Sequence, residues 1–114
     1  MSERRFNRQQ RLVQAADFTR VFDKPVRRAD KFFTILYICS DQPSARLGLA
    51  IAKKRARRAV DRNRIKRIVR ESFRHSLPIL AGKDIVVLAR DTTARANNAS
   101  LFDSLQKHWQ GMTK

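Results

Sequence analysis

Cysteine is nearly absent from this 114-residue chain, and the single Cys39 excludes both an intrachain disulfide and a zinc site built on cysteine pairs. Its setting among Ile35, Leu36, Tyr37 and Ile38 is that of a buried strand thiol. No stretch approaches the roughly 18 consecutive apolar residues of a membrane-spanning helix, and the opening M-S-E-R-R-F-N-R lacks the apolar core of a signal peptide. The expected setting is cytoplasmic, with no membrane partner. Glycine and proline number three each, nothing repeats, and no low-complexity linker divides the chain, so a single domain with one modest core is expected. Acids are scarce too: ten Asp and Glu stand against 26 Lys and Arg, and His75 and His108 lie far apart without a cluster of acids. No catalytic or metal-ligating constellation can be assembled from the protein's own residues.

What the chain has is positive charge, a net +16, and it is concentrated. From Lys53 to Arg74, K-K-R-A-R-R-A-V-D-R-N-R-I-K-R-I-V-R-E-S-F-R, eleven residues are Lys or Arg and two are acids, Asp61 and Glu71. A field focused on one segment points to a polyanionic partner, and a strongly basic small domain is the electrostatic footprint of a nucleic-acid binder. Helical phase sharpens this. Ile65, Ile68, Val69, Ser72 and Phe73 fall on one side, while Asn63, Arg67, Arg70 and Arg74 line the other. The C-terminal half reads as a helix docked on a core. Going backwards, the docking side becomes Arg62 and Arg58, so the first turns are expected to project with basic groups all round. Cations at a helix N-terminus oppose the helix dipole by about 0.3 to 1 kcal/mol each when exposed. A bound phosphate reverses that sign, because first-turn N–H groups and guanidinium groups attract the same anion.

Around this segment the order is helix, strands, helix, strand, helix, an α/β (α+β) sandwich built on one mixed sheet. Residues 1–12 carry four arginines and read as a flexible basic arm, leaving 13–114 as the domain. A short helix runs from about Ala15 to Asp23 and stops at Pro25. Strand character covers Val26 to Ser40, and Asp41, Gln42, Pro43 and Ser44 form a turn into a second strand, Arg46 to about Lys53, expected to pair with it as a hairpin. In that second strand Leu47, Leu49 and Ile51 alternate with Gly48, Ala50 and Ala52, so the large side should meet the long helix and the small side should leave room against the sheet. The uninterrupted run Ile85, Val86, Val87, Leu88, Ala89 is that of a strand covered on both faces, as in a parallel position. A last helix is expected from Asn98 to Met112, with Ser100 and Asp103 as a capping pair and Trp109 in the core.

The run from Ala59 to Arg70, A-V-D-R-N-R-I-K-R-I-V-R, resembles the signature of the bacterial ribonuclease P protein family. G-L-A-I-A-K-K from Gly48 to Lys54 looks like the strand that leads into it, and D-F-T-R-V-F from Asp17 to Phe22 is similar to the family's first helix. The resemblance implies a small subunit that binds ribonuclease P RNA and helps it remove the 5′ leader of precursor tRNA, with magnesium held mainly by the RNA and no further protein partner required. It implies a left-handed crossover around the basic helix. By the same resemblance Arg62, Asn63, Arg64, Lys66, Arg67 and Arg70 would contact the catalytic RNA, joined by Lys53, Lys54, Arg55 and Arg58 at the junction of strand and helix. Phe18, Phe22, Gly48, Ala50 and Ala52 would receive the leader in a groove between first helix and sheet. Strand alternation sets Phe33 and Tyr37 opposite Phe32, which makes that pair candidates for the groove as well. Some members of the family have a glycine where this chain reads R-A-R-R from Arg55 to Arg58.

Other readings stand beside this one. Phe18 and Phe22 at i, i+4 suit an ordinary core as well as a stacking platform. A ribosomal or general RNA-binding protein would account for the charge but not for the order of the signature elements. A stand-alone nuclease would need carboxylates such as Asp17, Asp61 or Asp84. A helix-turn-helix regulator would need a short helix where this chain has a strand.

Overall fold

The computed structural model describes residues 15–40 and 43–112. The basic arm at residues 1–12, the domain boundary at residue 13 and the turn residues Asp41 and Gln42 lie outside the described residues. Three helices, α1 (Ala15–Phe22), α2 (Ala59–His75) and α3 (Asn98–Gly111), accompany four strands, β1 (Val26–Ala29), β2 (Phe33–Cys39), β3 (Arg46–Ala50) and β4 (Lys83–Ala89). Local chemistry explains most boundaries. Lys24 adopts a left-handed backbone at φ 57° ahead of Pro25, which turns the chain sharply out of α1. Asp30 closes the β1–β2 turn by accepting hydrogen bonds from the backbone N–H groups of Phe32 and Phe33, each at 2.9 Å. The cap of α3 is Asn97, whose side-chain oxygen accepts from the Ser100 N–H at 2.8 Å, so the expected Ser100–Asp103 pair gives way to a residue one step outside the helix.

The expected hairpin between the second and third strands does not form. The order across the sheet is β1-β2-β4-β3, with β2 antiparallel to both β1 and β4, and β3 parallel to β4. The apolar run of β4, buried continuously from Asp84 to Val87, takes the position covered on both faces and thereby separates β2 from β3. The chain therefore leaves β3, passes through α2 and returns as β4 alongside it.

Register divides the sheet into two faces. Phe33, Ile35 and Tyr37 of β2 share a face with Ile85 and Val87 of β4 and Leu47 and Leu49 of β3. That face carries the main core, shared with Ile65, Ile68, Val69 and Phe73 of α2 and Leu101, Leu105 and Trp109 of α3. The large side of β3 thus meets the long helix, as its alternation predicts. Trp109 is fully buried, meets Phe73 edge-to-face at 6.3 Å and donates its indole N–H to Ser72 Oγ at 2.8 Å. Cys39 lies on the same face, yet it is exposed. The helices cover the Phe33–Ile35 end of β2, and burial declines towards Cys39, the last strand residue.

A polar seam ties α3 to the β1–β2 turn. Ser104 Oγ donates to Asp30 Oδ2 at 2.5 Å, and buried His108 sits 3.3 Å from the same oxygen. Burial depresses the affinity of His108 for a proton; nearby Asp30 opposes this and the Arg28 charge adds to it, so that the pKa lies below that of a free histidine. The unfolded chain therefore binds protons here first. Stability contributed by neutral His108 is complete above its unfolded pKa, near 6.5, and falls as pH drops towards the folded value. Urea unfolding of the wild type at pH 7.5 and 5.5 should show this loss, and His108→Gln should remove most of the difference between the two. An equal difference in both proteins would assign the effect elsewhere.

Candidate nucleic-acid interface

Helix α2 presents the charge. Its buried residues are Ile65, Ile68, Val69, Ser72 and Phe73, the side that helical phase predicts. Asn63, Arg67 and Arg70 are exposed on the other side, while Arg74 is half-buried with Glu71 4.0 Å away. The helix begins at Ala59, later than the charge run suggests, and Arg58 at its start supplies no side-chain cap. Lys53 to Arg58 instead form a turn in which the N–H groups of Arg55 and Ala56 bond to the Ala52 carbonyl. Ala56, the small residue of R-A-R-R, is buried.

The two arginines of the Arg-Asn-Arg core hold protein as well as facing solvent. Arg62 Nη1 donates to the carbonyls of Ala56 and Arg57 at 3.0 and 2.8 Å, folding back over the turn that precedes the helix. Arg64 donates to the carbonyls of Ala94 and Ala96 at 3.0 and 3.1 Å and to Asn98 Oδ1 at 2.8 Å, fastening α2 to the start of α3. A guanidinium carries five N–H donors, so an anion can still be met. Both side chains also fix the shape of the basic surface. Exposed Asn63 stands between them in sequence, and Lys66 is half-buried.

The other face of the sheet is only partly covered. Val21 of α1 is fully buried against Val86, and Phe18, Leu36, Ile38, Ala50 and Leu88 pack around that pair. Beyond α1 the face opens into a groove of about 680 Å³ whose floor is Thr34, Ala50, Ala52 and Leu88. Arg27, Lys31, Lys54, Arg55 and Arg90 stand along it. Among the described lining residues Asp91 is the one acid, and Arg55 donates to it at 2.7 Å, which holds the Asp91 carboxyl below the usual carboxylate range. Lys54 and Arg55 belong both to the groove and to the turn leading into α2, so the two cationic surfaces are continuous.

Of the residues expected in a leader groove, Ala50 and Ala52 line it. Gly48 is buried beside Val86 in the parallel register, Phe18 is partly buried against the Val21–Val86 pair, and Phe22 is 46% exposed at the end of α1. Phe33 and Tyr37 are corrections. Phe33 is fully buried and Tyr37 packs on the same core, facing α2 and α3 on the opposite side of the sheet. Alternation shows which residues of a strand share a face, but not which face the helices cover. Sequence reading also missed Arg27, Lys31, Thr34, Leu88 and Arg90, which strand pairing brings together from distant segments.

Among the described residues no three His, Cys, Asp or Glu side chains come together as a metal site. Fully buried Asp84 is engaged by Arg20 and Arg46, and Asp91 by Arg55, so these carboxylates do not fit magnesium as ligands. No helix among the described residues is long and apolar enough to cross a membrane.

Comparison with known proteins agrees with this geometry over nearly the whole chain. The Ribonuclease P family model matches residues 6–113. The ribonuclease P protein component of Nitrosococcus oceani is 45% identical over 109 residues, covering 96% of this chain and 92% of its own. That of Pseudoalteromonas atlantica is 41% identical, covering 100% and 95%. Among solved structures, the Staphylococcus aureus RNase P protein superimposes with a TM-score of 0.81 at 32% identity over 92% of this chain and 95% of that one. The Thermotoga maritima protein gives 0.78 at 28% identity, covering 88% and 94%. With the family model matching residues 6–113 and relatives 41–45% identical over almost the whole chain, this chain is a member of the ribonuclease P protein family.

Proposed function

We propose that the chain acts in tRNA 5′ processing through two joined surfaces, one for the catalytic RNA and one for the leader of precursor tRNA. The observation that carries this reading is the open cationic groove, with its floor of small and apolar residues, running into the turn before α2. An extended single strand can set its bases over Ala50, Ala52 and Leu88 while Arg27, Lys31, Lys54 and Arg90 meet its phosphates. The exposed side of α2, with Asn63, Arg67 and Arg70, faces the structured RNA. Asn63 can donate to a phosphate and accept from a ribose hydroxyl.

The chemistry follows from that division. The protein lowers repulsion between two polyanions and holds the leader, a contact that product tRNA cannot make. Such binding is present before the bond breaks, so it lowers KM and favours precursor over product without requiring a carboxylate in the protein. Hydrolysis then belongs to the RNA, with magnesium held mainly there.

The decisive assay compares precursor-tRNA cleavage at low magnesium by ribonuclease P RNA alone, protein alone, and both together. Efficient cutting at the mature 5′ end by the combination alone is the expected result. Cutting by the protein alone would transfer catalysis to its carboxylates, and an RNA unaffected by the protein would favour general RNA binding. In the same system Arg67→Ala should weaken binding to the catalytic RNA and lower the slope of log affinity against log salt by about one. An unchanged slope would remove Arg67 from the interface.

A further inference from the structure

Four charged side chains form a closed cluster where α1 crosses the sheet. Asp84 of β4 is fully buried and accepts from Arg46 of β3 through both oxygens, Nε to Oδ1 at 2.9 Å and Nη2 to Oδ2 at 2.8 Å. From α1, Arg20 Nη2 donates to Asp84 Oδ2 at 2.5 Å, and Asp17 Oδ1 lies 3.5 Å from Arg46 Nη2. Helix and sheet each contribute one acid and one base, so the cluster is neutral within a chain of net +16.

The Arg46–Asp84 pair already satisfies the buried carboxylate. The bond from Arg20 adds to this and, unlike the Arg46 pair, connects α1 to the sheet. That connection matters because α1 is short, and it adds a polar tie to the packing of Val21 and Phe18. Eight residues are fewer than the roughly 12 to 15 at which an isolated helix becomes even marginal, and one α1 side chain, Val21, is fully buried among those described. Lys24 and Pro25 fix where the helix leaves the sheet, but they do not fix its angle across it. Phe18 of α1 packs on the same Val21–Val86 pair as Ala50 and Leu88, two residues of the groove floor. The seating of α1 thus sets what borders the groove.

We propose that Arg20, clamped on Asp84, is a positioning residue for leader recognition: it seats α1 beside the groove without touching the leader itself. The proposal rests on the leader-groove reading above. Arg20 suits a mild test, since its side chain is 54% exposed and Asp84 keeps its bidentate partner when Arg20 is replaced.

The full chain assembled with ribonuclease P RNA is titrated with precursor tRNA and with the same tRNA lacking its leader. Arg20→Gln should reduce the preference for the leader-bearing form about three- to tenfold, raise KM and leave kcat unchanged. Leaderless binding and RNA affinity should match those of Lys107→Gln, which removes one positive charge from the exposed side of α3. Arg20→Lys, which keeps a charged donor, should recover most of the preference. An unchanged preference overturns the proposal, and so does an equal loss of leaderless binding, which would mark a general effect of charge or folding. Ala52→Glu in the same assay separates the two levels. If it abolishes the preference and Arg20→Gln does not, only the positioning role fails; if neither changes it, the groove reading fails and takes the positioning role with it.

Discussion

Ala52→Glu is expected to remove most of the preference for leader-bearing tRNA, about ten- to a hundredfold, while the protein stays folded. Ala52 is exposed on the groove floor, so the longer side chain displaces nothing from the core. Its carboxylate enters a groove bordered by five cations and offset by Asp91 alone among the described lining residues. A second acid there both repels an incoming phosphate and draws Lys54 or Arg55 away from it, and juxtaposed like charges at an interface cost several kcal/mol. About 1.4 kcal/mol corresponds to each tenfold step in affinity. Paired titrations with leader-bearing and leaderless tRNA at two salt concentrations provide the check. The loss should fall on the leader-bearing form and shrink at higher salt, because screening shortens the reach of the added charge. A loss shared equally by both forms would place the leader elsewhere.

Trp109→Ala should destabilise the fold by about 3 to 5 kcal/mol, a large share of the roughly 5 to 15 kcal/mol that holds a domain together. The indole is the largest fully buried side chain in the core and joins α3 to α2 through the Phe73 ring. Truncation opens a cavity between the two helices and leaves buried Ser72 Oγ without its indole donor. Trp109→Phe retains much of the ring volume and should cost clearly less. Urea unfolding reads the result, with the midpoint shifting at constant slope if the native and denatured states are otherwise unchanged. A Trp109→Ala midpoint within error of the wild type would mean that the α2–α3 contact contributes little to stability.

The buried side of α2 was legible because a helix imposes a period of 3.6 on its own residues, and Ile65, Ile68, Val69, Ser72 and Phe73 obey it without help from the rest of the chain. The small side of β3 and the double burial of β4 were legible for the same local reason. Strand partners were not. Whether β3 pairs with β2 or with β4 depends on which strand gains most from covering both its faces, a comparison made across the whole sheet, and the adjacent hairpin lost it. Strand pairing assembled Arg27, Lys31, Thr34, Leu88 and Arg90 into one groove, and the choice of face that α2 and α3 cover put Phe33 and Tyr37 in the core. Cys39 is exposed because coverage by those distant helices ends before it. By itself, then, the sequence determined that the chain is a small basic α/β domain with a charged amphipathic helix of recognisable signature, because charge, period and motif reside in consecutive residues. Tertiary structure decided where the groove lies, that Arg62 and Arg64 brace the surface they belong to, and that Asp84 gathers Arg20 and Arg46 beneath α1. Apart from Arg62, which folds back on its own preceding turn, those contacts join segments far apart in the chain, and nothing in the local pattern of one segment carries the position of another.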